Sequence, residues 1–212
     1  MPLAGYVAQI KLSGAAVAMT AEPCGLVGGN VFQITDASRR IVDPATAVVV
    51  KENGAPTTLA PTIDYLFGVI TFPSAPTAPI TIDGAFIPTY SVAECRGIAI
   101  GVSADLGDVS VFETSAKKKL ALLHDVSGSI DRLLLPLDDI DTVTGGTQSL
   151  DAWMIAGEWR VLDVLFAAGV RLRAFVIFGS YDVNASVEGL VEVSVAYEGA
   201  AQKGVTSISF GA

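Results

Sequence analysis

The chain has 212 residues, 51% of them hydrophobic and 17% charged, with 13 Lys+Arg against 22 Asp+Glu for a net charge of −9. That is ample material for a core, and disorder over most of the chain is excluded. The acidic balance argues against a binder that neutralises nucleic-acid phosphates, and apolar runs are broken well short of the roughly 18 residues of a membrane-spanning helix.

Nothing positive precedes the Ala- and Val-rich start, and Lys11 sits inside it, so no secretory signal peptide is expected. From there, short runs rich in Val, Ile, Thr and Phe alternate with Gly and Pro, which predicts strands. The expected strands are Tyr6–Leu12, Val31–Ile34, Ala47–Glu52, Leu66–Phe72, Ile80–Ile87 and Ile98–Ala104. Leu120–Asp125, Ser129–Leu135, Arg171–Phe178, Ser186–Tyr197 and Thr206–Phe210 complete the set. Period-two alternation is clean from Val191 through Val193 and Val195 to Tyr197, and Gly189 marks a bulge in that run. One segment differs: Leu150, Trp153, Met154, Val161, Leu162, Leu165 and Phe166 fall mostly at steps of three and four. That spacing predicts one α-helix over about 149–168, capped by Ser149, with Asp151 in its first turn and Gly169 at its end. The expected fold is mainly β, a barrel or sandwich of antiparallel strands with that helix packed on it.

Residues 28–88 read as a β-rich insertion. Gly28-Gly29-Asn30 opens it, Asn53-Gly54 signals a hairpin, and a Pro-rich loop spans Pro73 to Pro79. The core domain is then 1–27 with 89–212.

The chemistry-bearing residues are few. The sole His, His124, reads as a strand-end residue, with no Gly-x-Ser-x-Gly elbow and no acid placed for a triad. Cys24 and Cys95 are too few for a disulfide framework and read as two buried thiols or a single bridge. One His and two distant Cys are too few for zinc. The acidic cluster Asp138-Asp139-Ile140-Asp141 lacks the spacing of a calcium loop, and Gly25–Gly29 lacks the Lys-Ser/Thr ending of a phosphate loop. No catalytic residue, cofactor or metal site is expected. Lys117-Lys118-Lys119 is the one basic run. It reads either as a solvated loop or as a loop that meets an acidic surface on a neighbouring copy.

Asp108-Val109-Ser110-Val111-Phe112, a polar loop, and then Leu122-Leu123-His124-Asp125-Val126-Ser127-Gly128-Ser129-Ile130 resemble the central stretch of tail tube proteins of long-tailed bacteriophages. The later segments, ending in Val195-Ala196-Tyr197-Glu198-Gly199 and Ser207-Ile208-Ser209-Phe210, follow the same order. Ile63 to Phe72 is similar to a hairpin of phage structural proteins. The resemblance implies hexameric rings that stack into a tube, each subunit giving strands to a continuous inner barrel through which DNA passes without specific binding. It implies assembly contacts at Phe112, Lys117, Lys118 and Lys119 in the extended loop. Further contacts fall near the termini, at Tyr6, Val205, Ile208 and Phe210. Implied partners are further copies and the tape measure, terminator and distal tail proteins, with no membrane. The expected location is the virion tail, built in the host cytoplasm. A tail terminator or connector, or a capsid decoration protein, is the alternative. A β-sandwich binding or adhesin module is a further one, with Tyr65, Phe67 and Phe72 as its only candidate aromatic cluster.

Overall fold

The computed structural model describes residues 9–91, 95–109, 118–134, 157–167, 170–185, 191–200 and 208–211. In chain order the strands are β1 (Gln9–Ser13), β2 (Val17–Gly28), β3 (Val31–Ile34), β4 (Val49–Glu52), β5 (Ala55–Pro56), β6 (Thr62–Asp64), β7 (Val69–Thr71) and β8 (Ile80–Phe86). There follow β9 (Thr89–Ser91), β10 (Cys95–Val109), β11 (Lys118–Leu134), β12 (Arg160–Ala167), β13 (Val170–Ala185), β14 (Val191–Gly199) and β15 (Ile208–Gly211). They form two antiparallel sheets. The larger runs β10-β11-β14-β13-β12-β1-β9, with β15 also on β13, and the smaller runs β5-β4-β8-β2-β3-β7-β6.

The mainly β expectation holds; the helix does not. Residues 149–156 lie outside the described residues, but Arg160–Ala167 is strand β12, paired to β1 on one side and β13 on the other. Val161, Leu162, Asp163 and Val164 are all buried. Leu162 and Val164 enter the core of the larger sheet, whereas Val161 faces the smaller one. A strand covered on both faces reads as a continuous apolar run, which a helical period can mimic. Gly157, at φ +63°, sits in a turn where the expected helix would have continued.

The larger sheet curls around one cluster in which Ile10 and Leu12 of β1 meet Val126 and Ile130 of β11, Val193, Val195 and Tyr197 of β14, and Phe178 of β13. The smaller sheet has its own core of Met19, Ile34, Val50, Ile70, Phe72 and Ile82, among others. Each such side chain contributes about 1.5–3 kcal/mol when fully buried. Its turns follow local rules. Asn53 and Gly54 take positive φ (47° and 83°) to join β4 to β5, as the Asn-Gly pair predicts. Asp64 Oδ1 accepts from the backbone N–H of Leu66 (2.9 Å) and Phe67 (3.2 Å), and Gly68 at φ +61° completes that turn.

Between the sheets lies a third cluster, with Leu66, Phe67 and Ile87 packed against Val161 and Phe175. Trp159 meets Phe175 edge-to-face at 5.2 Å. The seam also holds charge. Arg173 Nη1 donates to the Leu66 carbonyl at 2.7 Å, and the Arg173 guanidinium stacks on Phe67 at 4.9 Å. Burial lowers the Arg173 pKa, and the neighbouring Asp163 opposes that shift.

Candidate assembly surface

Four strands of the larger sheet, β10, β11, β14 and the far half of β13, extend past the smaller sheet. The register fixes which residues share each face. Val102 pairs with Val126, Ile98 with Ile130, and Gly128 with Tyr197, all on the core side. The other face carries Ala99, Gly101 and Ser103 on β10 and Ser127, Ser129 and Asp131 on β11. It continues with Ser194, Ala196 and Glu198 on β14, then Ile177, Ser180 and Asp182 on β13. Most of these are exposed, Ser129, Ser194 and Ala196 being half-buried, and no sheet partner among the described residues covers them. The face is therefore paved with small residues and three carboxylates, Asp131, Glu198 and Asp182, with no Lys or Arg among the residues just named. Ser194 Oγ donates to Asp131 Oδ1 at 2.7 Å, so that carboxylate is held flat on the sheet.

One side chain ties these strands together. Tyr197 lies across Gly128, and its hydroxyl donates to the Ala99 carbonyl at 2.9 Å, linking β14 to β10 over β11. Burial raises the Tyr197 pKa to about 12, so it stays a donor through the neutral range.

The edges of the two sheets contrast. The smaller sheet ends in β5, two residues closed by Pro56, and β6, three residues preceded by Pro61. Short strands and Pro blunt an edge. β10 is 15 residues long and pairs only with β11 among the described residues. Its stretch 97–104, Gly-Ile-Ala-Ile-Gly-Val-Ser-Ala, has neither charge nor Pro. At the other side of the sector, β12 ends at Arg160 opposite Val176, while β14 occupies the opposite side of β13. Residues 177–185 of β13 thus have a second open edge among the described residues.

Of the residues expected to carry assembly, Tyr6, Phe112, Lys117 and Val205 lie outside the described residues. Lys118 and Lys119 open β11, paired with Val109 and Asp108, at the far end of the β10–β11 ribbon. Ile208 and Phe210 lie on β15, paired with Ala174 and Leu172, and Ile208 is buried in the core of its own chain. Of the four that are described, two lie on β11 and two on β15. The two open edges of the sector are backbone features, and only the neutral composition of 97–104 was visible in the sequence. Phe67 and Phe72 are buried and Tyr65 is half-buried, so they present no aromatic platform. Cys24 on β2 and Cys95 on β10 are half-buried thiols on different sheets and form no bridge. Among the described residues no group of three or more His, Cys, Asp or Glu is placed to hold a metal ion. No helix among them is long and apolar enough to cross a membrane.

No protein-family model matches the chain, and no curated protein does. Among solved structures, the chain is similar to one from the tail of an empty gene transfer agent particle with C6 symmetry. Identity is 18% over 59% of this chain and 87% of that one, with a TM-score of 0.46. It is similar also to a chain from the virion of a native gene transfer agent particle, at 19% identity over 58% of this chain and 89% of that one, again with a TM-score of 0.46.

Proposed function

We propose that the chain is a structural subunit of a phage-type virion tail that acts by assembling with copies of itself and carries out no catalysis. The carrying observation is the pair of open edges on one four-stranded sector. A 15-residue strand with no second partner among the described residues, neutral over 97–104, is a template for another strand. The edge of β10 and the edge of β13 lie on opposite sides of the sector, so one copy's β10 adds to the next copy's β13. Such a contact is head-to-tail, and it makes a closed ring if the rotation closes. The resemblance to tail tube proteins supports a ring of six that stacks into a tube, inside the virion, built in the host cytoplasm.

In that arrangement the small, acidic face of the sector is the lumen wall. Asp131, Glu198 and Asp182 repel phosphates, and Ala, Gly and Ser leave no large side chain to obstruct passing DNA. Tape measure, terminator and distal tail proteins are the expected partners at the ends.

Electron microscopy of the purified chain tests this beside Val102→Lys. Val102 is 49% exposed on the open strand, where a Lys blocks strand addition without entering the monomer core. Rings or tubes from the wild type, lost in the folded variant, are the expected result. Isolated rings that never stack indicate a connector or terminator. Identical rings from both proteins refute pairing through β10.

A further inference from the structure

We propose that the cleft at the seam of the two sheets is an oxyanion site, built for a carboxylate or a phosphate. A row of polar residues crosses the larger sheet at one register: Ser91 pairs with Lys11, Lys11 with Asp163, Asp163 with Arg173, and Arg173 with Ser209. Arg171 lies two residues away on β13. The row runs under the smaller sheet and opens into a cavity of about 390 Å³ whose polar lining is Lys11, Ser38, Thr89, Asp163, Arg171 and Arg173.

The charges in this cleft do not balance. Asp163 is the only carboxylate on its lining among the described residues, and it is 3% exposed. Its Oδ1 lies 3.2 Å from Arg171 Nε and its Oδ2 lies 3.4 Å from Arg173 Nη2. Neither distance is that of a short charge-assisted bond, which runs about 2.7–2.9 Å. Lys11 has no hydrogen bond or ion pair among the described residues. Three cations therefore share one carboxylate. The side chain of Arg173 is 4% exposed and its Nε is buried without a hydrogen-bond partner, while Arg171 Nε and Asp163 Oδ1 form an ion pair at 3.2 Å without an aligned hydrogen bond. Unpaired buried donors are unfavourable, the more so on a cation. A second oxyanion would accept from these N–H groups and balance Lys11, and guanidinium geometry suits both carboxylate and phosphate. The walls add the Thr89 hydroxyl on β9; the Ser38 hydroxyl, on the short turn Ala37–Arg39, already donates to Asp36 Oδ1 at 2.7 Å.

Two sources offer this chemistry: a free inorganic anion, and an acidic side chain of a second copy. The site does not depend on the assembly reading, since its donors all belong to one chain. The test is calorimetric titration of the full chain with inorganic phosphate, at fixed ionic strength in chloride, at a concentration where sedimentation shows monomer. Saturable binding is expected, weakened at least tenfold by Lys11→Gln. Arg171→Lys, which keeps the charge but loses the fork, weakens it less than Arg171→Gln does. Thermal midpoints of the variants establish that each is folded. Absence of binding by the wild type, or binding unchanged in Lys11→Gln and in Arg171→Gln, overturns the proposal. The source is read at higher protein concentration. If phosphate dissociates assembled chains, a neighbour's carboxylate fills the site. If phosphate binds with the same affinity and leaves association unchanged, the ligand is a free anion.

Discussion

Gly128 is the position where the sector is most sensitive to one added carbon. A Cβ built there falls 1.9 Å from the Ala99 carbonyl oxygen and 2.6 Å from the Tyr197 hydroxyl. The first of these is backbone, so no rotamer change relieves it and β10 must move away from β11. Overpacking of this kind costs about 1–3 kcal/mol. Losing the Tyr197–Ala99 hydrogen bond adds about 1 kcal/mol. Gly128→Ala should therefore destabilise the chain by about 2–4 kcal/mol, which lowers Tm by roughly 5–15 °C in a chain of this size. Gly179→Ala is the control, because nothing lies within 4 Å of a Cβ there. It should be neutral or slightly stabilising, since Ala loses less backbone entropy than Gly. Urea denaturation of both variants gives the energies, and amide exchange along β10 locates the damage. A Gly128→Ala variant within about 0.5 kcal/mol of wild type would refute the account of Tyr197 as the tie across three strands.

Leu162 is fully buried between β1 and β13, and Leu162→Asp should cost at least about 3 kcal/mol, through an unpaired buried charge, in chemical denaturation; an unchanged midpoint would mean the strand is misplaced. Burial, and secondarily Glu22, raises the Cys24 thiol from 9.0 to about 11. Its thiolate fraction at pH 8 is then about a hundredfold below that of a peptide thiol, and iodoacetamide should alkylate it correspondingly slowly; peptide-like kinetics would contradict this. Because folding favours the protonated form, the linked stability is present below pH 9 and is lost as pH rises from there through about 11. With a net charge of −9, copies repel one another, so added salt should speed self-association in light scattering, and indifference to ionic strength would remove this electrostatic brake.

The β character was legible because half-buried strands alternate, as Val191 to Tyr197 do, and because Asn53-Gly54 names its own turn. Among the strands absent from the expected set, β12 and β2 were missed for different reasons. β12 is covered on both faces, so its apolar run has no period of two to report. β2 was missed because its register breaks between Met19 and Glu22, with Ala21 at φ 51°, and the break scrambles alternation. The seam was beyond reach: Lys11, Asp163, Arg173 and Ser209 stand in one row only because β1 and β15, from the two ends of the chain, flank the β12–β13 hairpin. The neutral stretch 97–104 was visible, but its meaning depends on β10 lying at an edge.

One face of the larger sheet carries both the seam and the acidic sector, and β13 shows where the first gives way to the second. Arg171, Arg173 and Phe175 point to the smaller sheet; Ile177, then Ser180 and Asp182 beyond the irregularity at Phe178/Ser180, point to solvent. The covered part has Arg and Phe, residues that fill interfaces. The bare part has Ser, Ala, Gly and carboxylates, which make a poor protein contact but suit a wetted wall. On the proposed reading, contact between copies runs through the strand edges rather than this face. Val102 carries the same message from the core side: it pairs with Val126, which is fully buried, yet is itself 49% exposed, with no strand beyond it among the described residues. A neighbouring strand along β10 would cover it and complete the core face of the sheet.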